Sequence, residues 1–327
     1  MTIRWGILGT GGIARKFTED LLLLGHEVRA VGSRAPETAG KFAARYDIAR
    51  AYGTYDELAA DEDIDVIYVA TPHNAHHSAA RTCLEAGRAV LVEKPFTPTA
   101  AEAEDLTALA RERGLFAMEG MWTRFNPLVA RLRDLVADGV IGDVKAVYAD
   151  FSENAEFDPA HRLWSPDLAG GAVLDLGVYP VSFAWMLLGE PATVQAVTTP
   201  APTGVDANTG IVFGYGSGAV ALLHCGFFAR SPQTATVVGT SGWIEVAGPF
   251  WHPDAMTVHR DGAEPETHRF EVAGHGFTYE AQEVARCIDA GLTESPVMPL
   301  DESVAIVRTL ETIIKGFPGV DWDTVNP

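Results

Sequence analysis

Through the first third of the chain, short continuous apolar runs alternate with longer stretches whose apolar residues recur every three to four positions. The runs at 3–8, 27–33, 65–70, 89–93 and 115–118 predict strands, and the stretches at 12–24, 36–46, 75–87 and 99–114 predict helices. Strands covered on both faces are apolar throughout, and strands alternating with helices at this spacing build βαβ units on a parallel, doubly wound sheet. After residue 121 the rhythm changes. Residues 125–139 predict a helix, 144–153 a long alternating strand, and 171–188 an apolar helix. Between 192 and 270 several strands are separated by Gly-rich turns such as Tyr215-Gly216-Ser217-Gly218 and Gly239-Thr240-Ser241-Gly242, the pattern of an antiparallel sheet. Helices at 277–290 and 300–315 close the chain. The expectation is an α/β domain over 1–121, followed over 122–327 by an α+β domain built on an open, mostly antiparallel sheet.

Composition narrows the class. A chain of 327 residues suits two domains. Its net charge is −20, most of the acidic excess falls after residue 120, and no basic run interrupts it. Nucleic acid and anionic membrane, which bind through clustered Lys and Arg, are therefore not expected as partners. Cys83, Cys225 and Cys287 are odd in number, far apart and without CxxC spacing. That favours a reducing, cytoplasmic setting over a disulfide framework or a thiolate metal site. Met1–Arg4 lead straight into the first strand, so no secretory signal is expected. The most apolar stretch, 172–188, contains Asp175 and Pro180 and falls short of the ~20 residues a membrane span needs.

The first turn carries chemistry. Gly9-Thr10-Gly11-Gly12-Ile13-Ala14 stands between a predicted strand and a predicted helix and matches G-x-G-x-x-A. Gly9 permits the tight turn, Gly11 lets a pyrophosphate approach the backbone, and Ala14 keeps helix and sheet close. This placement makes the region a dinucleotide-binding Rossmann domain. The second strand ends Gly32-Ser33-Arg34 with no carboxylate before Glu37. A hydroxyl and a guanidinium there suit the 2′-phosphate of NADP better than the bare ribose of NAD. Thr71, Pro72, His73, Asn74 and His76 follow a central strand at its carboxyl end, where open α/β sheets bind ligands. They are expected to line the nicotinamide side of the cleft. With no Cys or acidic partner beside those histidines, no metal site is expected.

Glu93 and Lys94 end the next strand at the same edge. The residues alone leave open whether Lys94 is a solvated charge or a cleft ammonium. Asp175 and Tyr179, four positions apart on an otherwise apolar helix, would share one face. Alone, they fit either a polar cleft or an amphipathic core.

The glycine motif, Thr71-Pro72, Glu93-Lys94-Pro95 and Asp175-x-Gly177-x-Tyr179 together resemble the glucose–fructose oxidoreductase-like oxidoreductases, the Gfo/Idh/MocA family, over essentially the whole chain. Met121-Trp122-Thr123-Arg124-Phe125 and Arg162-Leu163-Trp164-Ser165-Pro166 resemble its branch of dimeric dihydrodiol dehydrogenases and NADP-dependent D-xylose dehydrogenases. That resemblance implies Lys94 and Tyr179 as a catalytic pair. Tyr179 would exchange the substrate's hydroxyl proton, its pKa lowered by the Lys94 ammonium. Asp175 would orient the pair or the substrate. Trp122, Arg124, Phe125, Arg162, Trp164 and Tyr179 would surround a sugar or vicinal diol, with His275, Phe277 and Glu280 as weaker candidates. The resemblance further implies a homodimer through the C-terminal sheet, in keeping with the apolar strand at 219–228. Two alternatives remain: a non-catalytic NADP(H)-binding sensor or regulatory protein, and an isomerase- or glycosidase-like enzyme that never releases its nucleotide.

Overall fold

A computed structural model describes residues 3–316. The chain begins with β1 (Arg4–Leu8), α1 (Gly12–Leu23), β2 (Glu27–Gly32), α2 (Pro36–Tyr46), β3 (Arg50–Tyr52), α3 (Tyr55–Ala59), β4 (Val66–Val69), α4 (His76–Glu85), β5 (Ala89–Glu93), α5 (Ala100–Arg113) and β6 (Ala117–Gly120). It continues with α6 (Pro127–Ala137), β7 (Val144–Ser152) and a π-helical turn at Val173–Gly177 leading into α7 (Val178–Leu188). The strands β8 (Thr193–Pro200), β9 (Asp206–Gly214), β10 (Val220–Gly226), β11 (Ala235–Gly239), β12 (Gly242–Val246), β13 (Ala255–Arg260) and β14 (Glu266–Arg269) follow. The last helices are α8 (Thr278–Asp289) and α9 (Leu300–Lys315).

Two compact units result. The first comprises the chain through Trp122 together with Val272–Val307; the second contains Thr123–Glu271 and begins again at Arg308, inside α9. The expected division at 121/122 differs by one residue at that boundary and misses the return of 272–307. The cause is packing. Leu300, Val304 and Val307 on α9 enter the same core as Ala103, Leu106 and Ala110 on α5. Asp20, buried on α1, accepts the backbone N–H groups of His275 and Phe277, both at 2.8 Å. A buried carboxylate bonded in this way fixes the entry to α8.

In the first unit the sheet runs β3-β2-β1-β4-β5-β6 and every pairing is parallel. It is a Rossmann sheet, with β4 and β5 buried along their whole length. β3 and α3 were not legible as a strand and a helix: one has three residues and the other five. A capping box marks α3 all the same, since Thr54 accepts from the Glu57 N–H while Glu57 accepts from the Thr54 N–H.

The second unit carries an eight-stranded sheet in the order β14-β13-β12-β11-β7-β10-β9-β8. It is antiparallel except where β10 pairs with β7. Tyr148 on β7, Leu222 on β10 and Val212 on β9 stand in register across three neighbouring strands, all exposed. The stretch Pro166–Leu188 is long and apolar enough to cross a membrane, but 83% of its apolar window is buried inside the protein, as in a core helix. Asp175 lies on the π-helical turn and Tyr179 on the first turn of α7. The single α-helical face expected for them is therefore replaced by a π-to-α junction.

Candidate active site

In the first unit, the turn from β1 to α1 is built for a close approach. Gly9 has φ +116°, and a Cβ there would lie 2.5 Å from the Ala70 carbonyl oxygen, so no side chain fits. Its N–H donates to the Gly32 carbonyl at 2.9 Å, tying the turn to β2. Gly11 caps α1 in an extended conformation without a side-chain bond, and a Cβ at Gly11 would meet nothing within 4 Å. Thr10, Gly11, Gly12 and Ile13 reach the surface while Ala14 is fully buried against the sheet. The opening N–H groups of the helix thus face open space beside a glycine turn. That arrangement fits the pyrophosphate of a dinucleotide.

Ser33 and Arg34 follow β2 near the surface. Glu37, the next carboxylate in sequence, is paired with Lys41 at 2.7 Å. Thr71 and His73 are buried and Asn74 is exposed at the end of β4.

His76, expected among the cofactor-lining residues, is fully enclosed instead. Its Nδ1 lies 2.8 Å from the Pro95 carbonyl and its Nε2 lies 3.0 Å from the Thr71 carbonyl. Burial, and to a lesser degree the nearby Lys94 charge, pushes its pKa down to about 4 against those carbonyls. The ring ties the loop after β4 to the loop after β5. His77 turns elsewhere, to Asp105 at 2.7 Å.

Glu93 is buried and accepts the Tyr68 hydroxyl. Lys94, the next residue, is half-buried beyond the end of β5. Trp122 stacks on Phe277 with ring centres 4.4 Å apart, so two residues far apart in sequence form one aromatic surface. Glu280, one turn into α8, is completely buried, and burial together with the charges of Glu93 and Asp20 raises its pKa well above the carboxylate range.

In the second unit, Asp175 is buried and takes a 2.9 Å bond from Arg162 Nη1. Tyr179 is buried in an aromatic group, 5.3 Å from the Phe151 ring and 6.0 Å from the Trp251 ring, and those two rings stack at 5.0 Å. Phe151 and Trp251 were not singled out from sequence. The aromatic cluster Phe250-Trp251-His252-Pro253 in a turn region was the signal available for the second.

Arg124 and Trp164, expected against the substrate, make bonds to protein partners. Arg124 Nε and Nη2 bond Ser182 Oγ and O at 3.0 and 3.1 Å, and Trp164 Nε1 donates to the Glu156 carbonyl at 2.9 Å. Both side chains are buried. Phe125 is half-buried. Among the described residues, no group of three His, Cys, Asp or Glu is placed to hold a metal ion.

A Rossmann unit with an open glycine turn, and a second unit whose apolar helix presents a buried carboxylate and phenol, define a nicotinamide-dependent oxidoreductase. Residues 3–121 match the model of the oxidoreductase family with an NAD-binding Rossmann fold, and residues 129–245 match that of the GFO/IDH/MocA C-terminal domain. The chain belongs to the Gfo/Idh/MocA oxidoreductase family.

It is 40% identical to a trans-1,2-dihydrobenzene-1,2-diol dehydrogenase of Bos taurus over 96% of this chain and 97% of that protein. It is 37% identical to a D-xylose 1-dehydrogenase (NADP(+)) of Hypocrea jecorina over 96% of this chain and 92% of that one. Among solved structures, the aldose-aldose oxidoreductase of Caulobacter crescentus, complexed with glycerol, matches with a TM-score of 0.87 and 26% identity. That match covers 96% of this chain and 97% of the other.

Proposed function

We propose that the protein is an NADP-dependent dehydrogenase acting on the CH–OH group of an aldose or a vicinal trans-diol, with Lys94, Tyr179 and Asp175 as its catalytic residues. The observation that carries this is the buried Tyr179 within its aromatic group, one turn from the Arg162-paired Asp175. The two full-length relatives, a diol and a xylose dehydrogenase, support the substrate class. Bound nicotinamide would supply the hydride acceptor as a carbinol becomes a carbonyl and one proton is released. Tyr179 takes the hydroxyl proton, and in the reverse direction returns it. Lys94 contributes the positive charge that favours an ionised oxygen. Arg162 fixes the direction of the Asp175 carboxylate.

NADP is favoured over NAD because Ser33 and Arg34 follow β2, with Glu37 engaged by Lys41. The exposed row Tyr148, Leu222 and Val212 supports a homodimer through the eight-stranded sheet. Three buried free thiols suit a cytoplasmic setting.

The experiment is nicotinamide absorbance with NADP+ or NAD+ against D-xylose, D-glucose, anhydrosugars and trans-cyclic diols. Turnover with one of these classes, lost in Lys94→Met and Tyr179→Phe while cofactor still binds, is the expected result. Undiminished turnover in both variants would overturn the mechanism. Cofactor binding without turnover across the panel would favour the sensor reading.

A further inference from the structure

Just beyond β2, two hydroxyls meet. Ser33 Oγ lies 2.8 Å from Thr38 Oγ1 in the first turn of α2. Thr38 Oγ1 is also placed to donate to the Ala35 carbonyl at 2.9 Å, and the Ala35 N–H points at Ser33 Oγ from 3.4 Å. Each hydroxyl has one proton and two acceptor sites. With the Thr38 proton on Ala35, the 2.8 Å contact is a bond from Ser33 to Thr38, and Ser33 has no proton left to offer. With Thr38 turned about its C–O bond, its hydroxyl donates to Ser33 Oγ and the Ser33 proton points outward. The pair therefore has two settings, one closed on itself and one presenting a donor.

The surroundings decide what that donor suits. Arg34 is exposed and, among the described residues, forms no ion pair; Glu37 is held by Lys41. A polarised hydroxyl beside an unpaired guanidinium suits an anion rich in acceptors. A ribose diol would instead call for a carboxylate acceptor.

We propose that Thr38 is a specificity-determining residue for the cofactor's 2′-phosphate, donating a hydrogen bond to Ser33 so that Ser33 donates to a phosphate oxygen beside Arg34. This rests on the NADP reading above. The bond from Thr38 polarises the Ser33 hydroxyl, and a chain of two hydroxyls ending on an anion is stronger than either bond alone. The competing role for Thr38 is purely local, a side-chain bond to Ala35 that steadies the start of α2. Such a role would be blind to the 2′-phosphate.

Binding of NADPH and NADH, titrated by calorimetry at one fixed ionic strength, separates the two. Thr38→Val keeps the shape and removes the hydroxyl at an exposed position. It is expected to weaken NADPH about threefold, because the bond from Ser33 to the phosphate remains and only its polarisation is lost, and to leave NADH unchanged; Ser33→Ala, which removes that bond itself, should weaken NADPH about tenfold. Thr38→Ser should restore NADPH binding, and Arg34→Ala should weaken it further than Thr38→Val does. If Thr38→Val leaves the NADPH-to-NADH ratio unchanged while Arg34→Ala lowers it, Thr38 has no such role and the cofactor reading survives. Equal weakening of both dinucleotides by Thr38→Val assigns it the local role and overturns the proposal. A wild-type protein that binds both alike overturns the proposal and the NADP reading together.

Discussion

Arg162 holds Asp175 at 2.9 Å, and the two differ sharply in exposure: 9% of the Asp175 side chain is exposed against 48% of Arg162. The carboxylate is the member with most to lose, because it keeps its desolvation cost when the attraction of Arg162 is removed. Arg162→Ala is therefore expected to destabilise the protein by about 1–3 kcal/mol, the lower end reflecting how exposed the guanidinium is. Asp175→Ala in the same background should restore part of that loss. A double-mutant cycle by urea denaturation measures the coupling. Additive single effects would remove the ion pair from the account of how Asp175 is oriented.

Gly9 admits no side chain, on two independent grounds: φ of +116° and the Ala70 carbonyl 2.5 Å from where a Cβ would stand. Gly9→Ala should displace the turn from the end of β4 and cost about 1–3 kcal/mol of stability. Because the turn also presents the first N–H groups of α1, affinity for either dinucleotide should fall by at least about tenfold, with no change in preference between them. Thermal denaturation and a cofactor titration on the same variant test both halves. Gly9→Ala with unchanged affinity would mean that the turn does not shape the cofactor site.

The parts legible in the sequence were those with local causes. β4 and β5 are buried on both faces and so read as unbroken apolar runs, and the glycines of the first turn mark a backbone path no other residue could follow. The parts that escaped have causes distant in the chain. Nothing near Asp20 marks it as the anchor of Phe277, 257 residues away. Nothing in 300–307 says that this helix joins the α5 core. The π-helical turn at Val173–Gly177 runs into α7 with no break in the apolar stretch beyond Asp175 and Gly177, so periodicity could not separate them. The chemistry of Arg124 and Trp164 is legible in the sequence, but not that Arg124 bonds Ser182 or that Trp164 bonds the Glu156 carbonyl.

The exposed face of the eight-stranded sheet offers a direct test of assembly. Leu222 stands between Tyr148 and Val212 in register, and all three are exposed. A contiguous apolar row of this kind on an otherwise acidic chain is what the proposed homodimer would cover. Leu222→Lys places a charge at the centre of that row without touching the buried face. Light scattering should show a dimer for the wild type and a monomer for the variant, each with unaltered circular dichroism. A wild type that is monomeric at micromolar concentration, or a variant that remains dimeric, rules out this face.

Glu280 offers a test of pH-dependent stability in the first unit. It is fully buried, neither carboxyl oxygen has a hydrogen-bond partner among the described residues, and Glu93 and Asp20 add negative charge nearby. Burial, reinforced by those two charges, raises its pKa well above the ordinary carboxylate value, so the folded protein keeps a proton that the unfolded chain gives up. The sign follows from linkage. Where the folded state binds more protons than the unfolded state, stability falls as pH rises; the contribution of Glu280 is complete below its unfolded pKa and drains away toward the folded one. Glu280→Gln keeps the neutral shape and has no proton to lose. The variant should therefore match the wild type near pH 5 and exceed it near pH 8, by on the order of 1 kcal/mol. Urea midpoints at the two pH values check this. Parallel pH slopes for wild type and variant would show that Glu280 is ionised in the folded protein, with a counter-charge beside it.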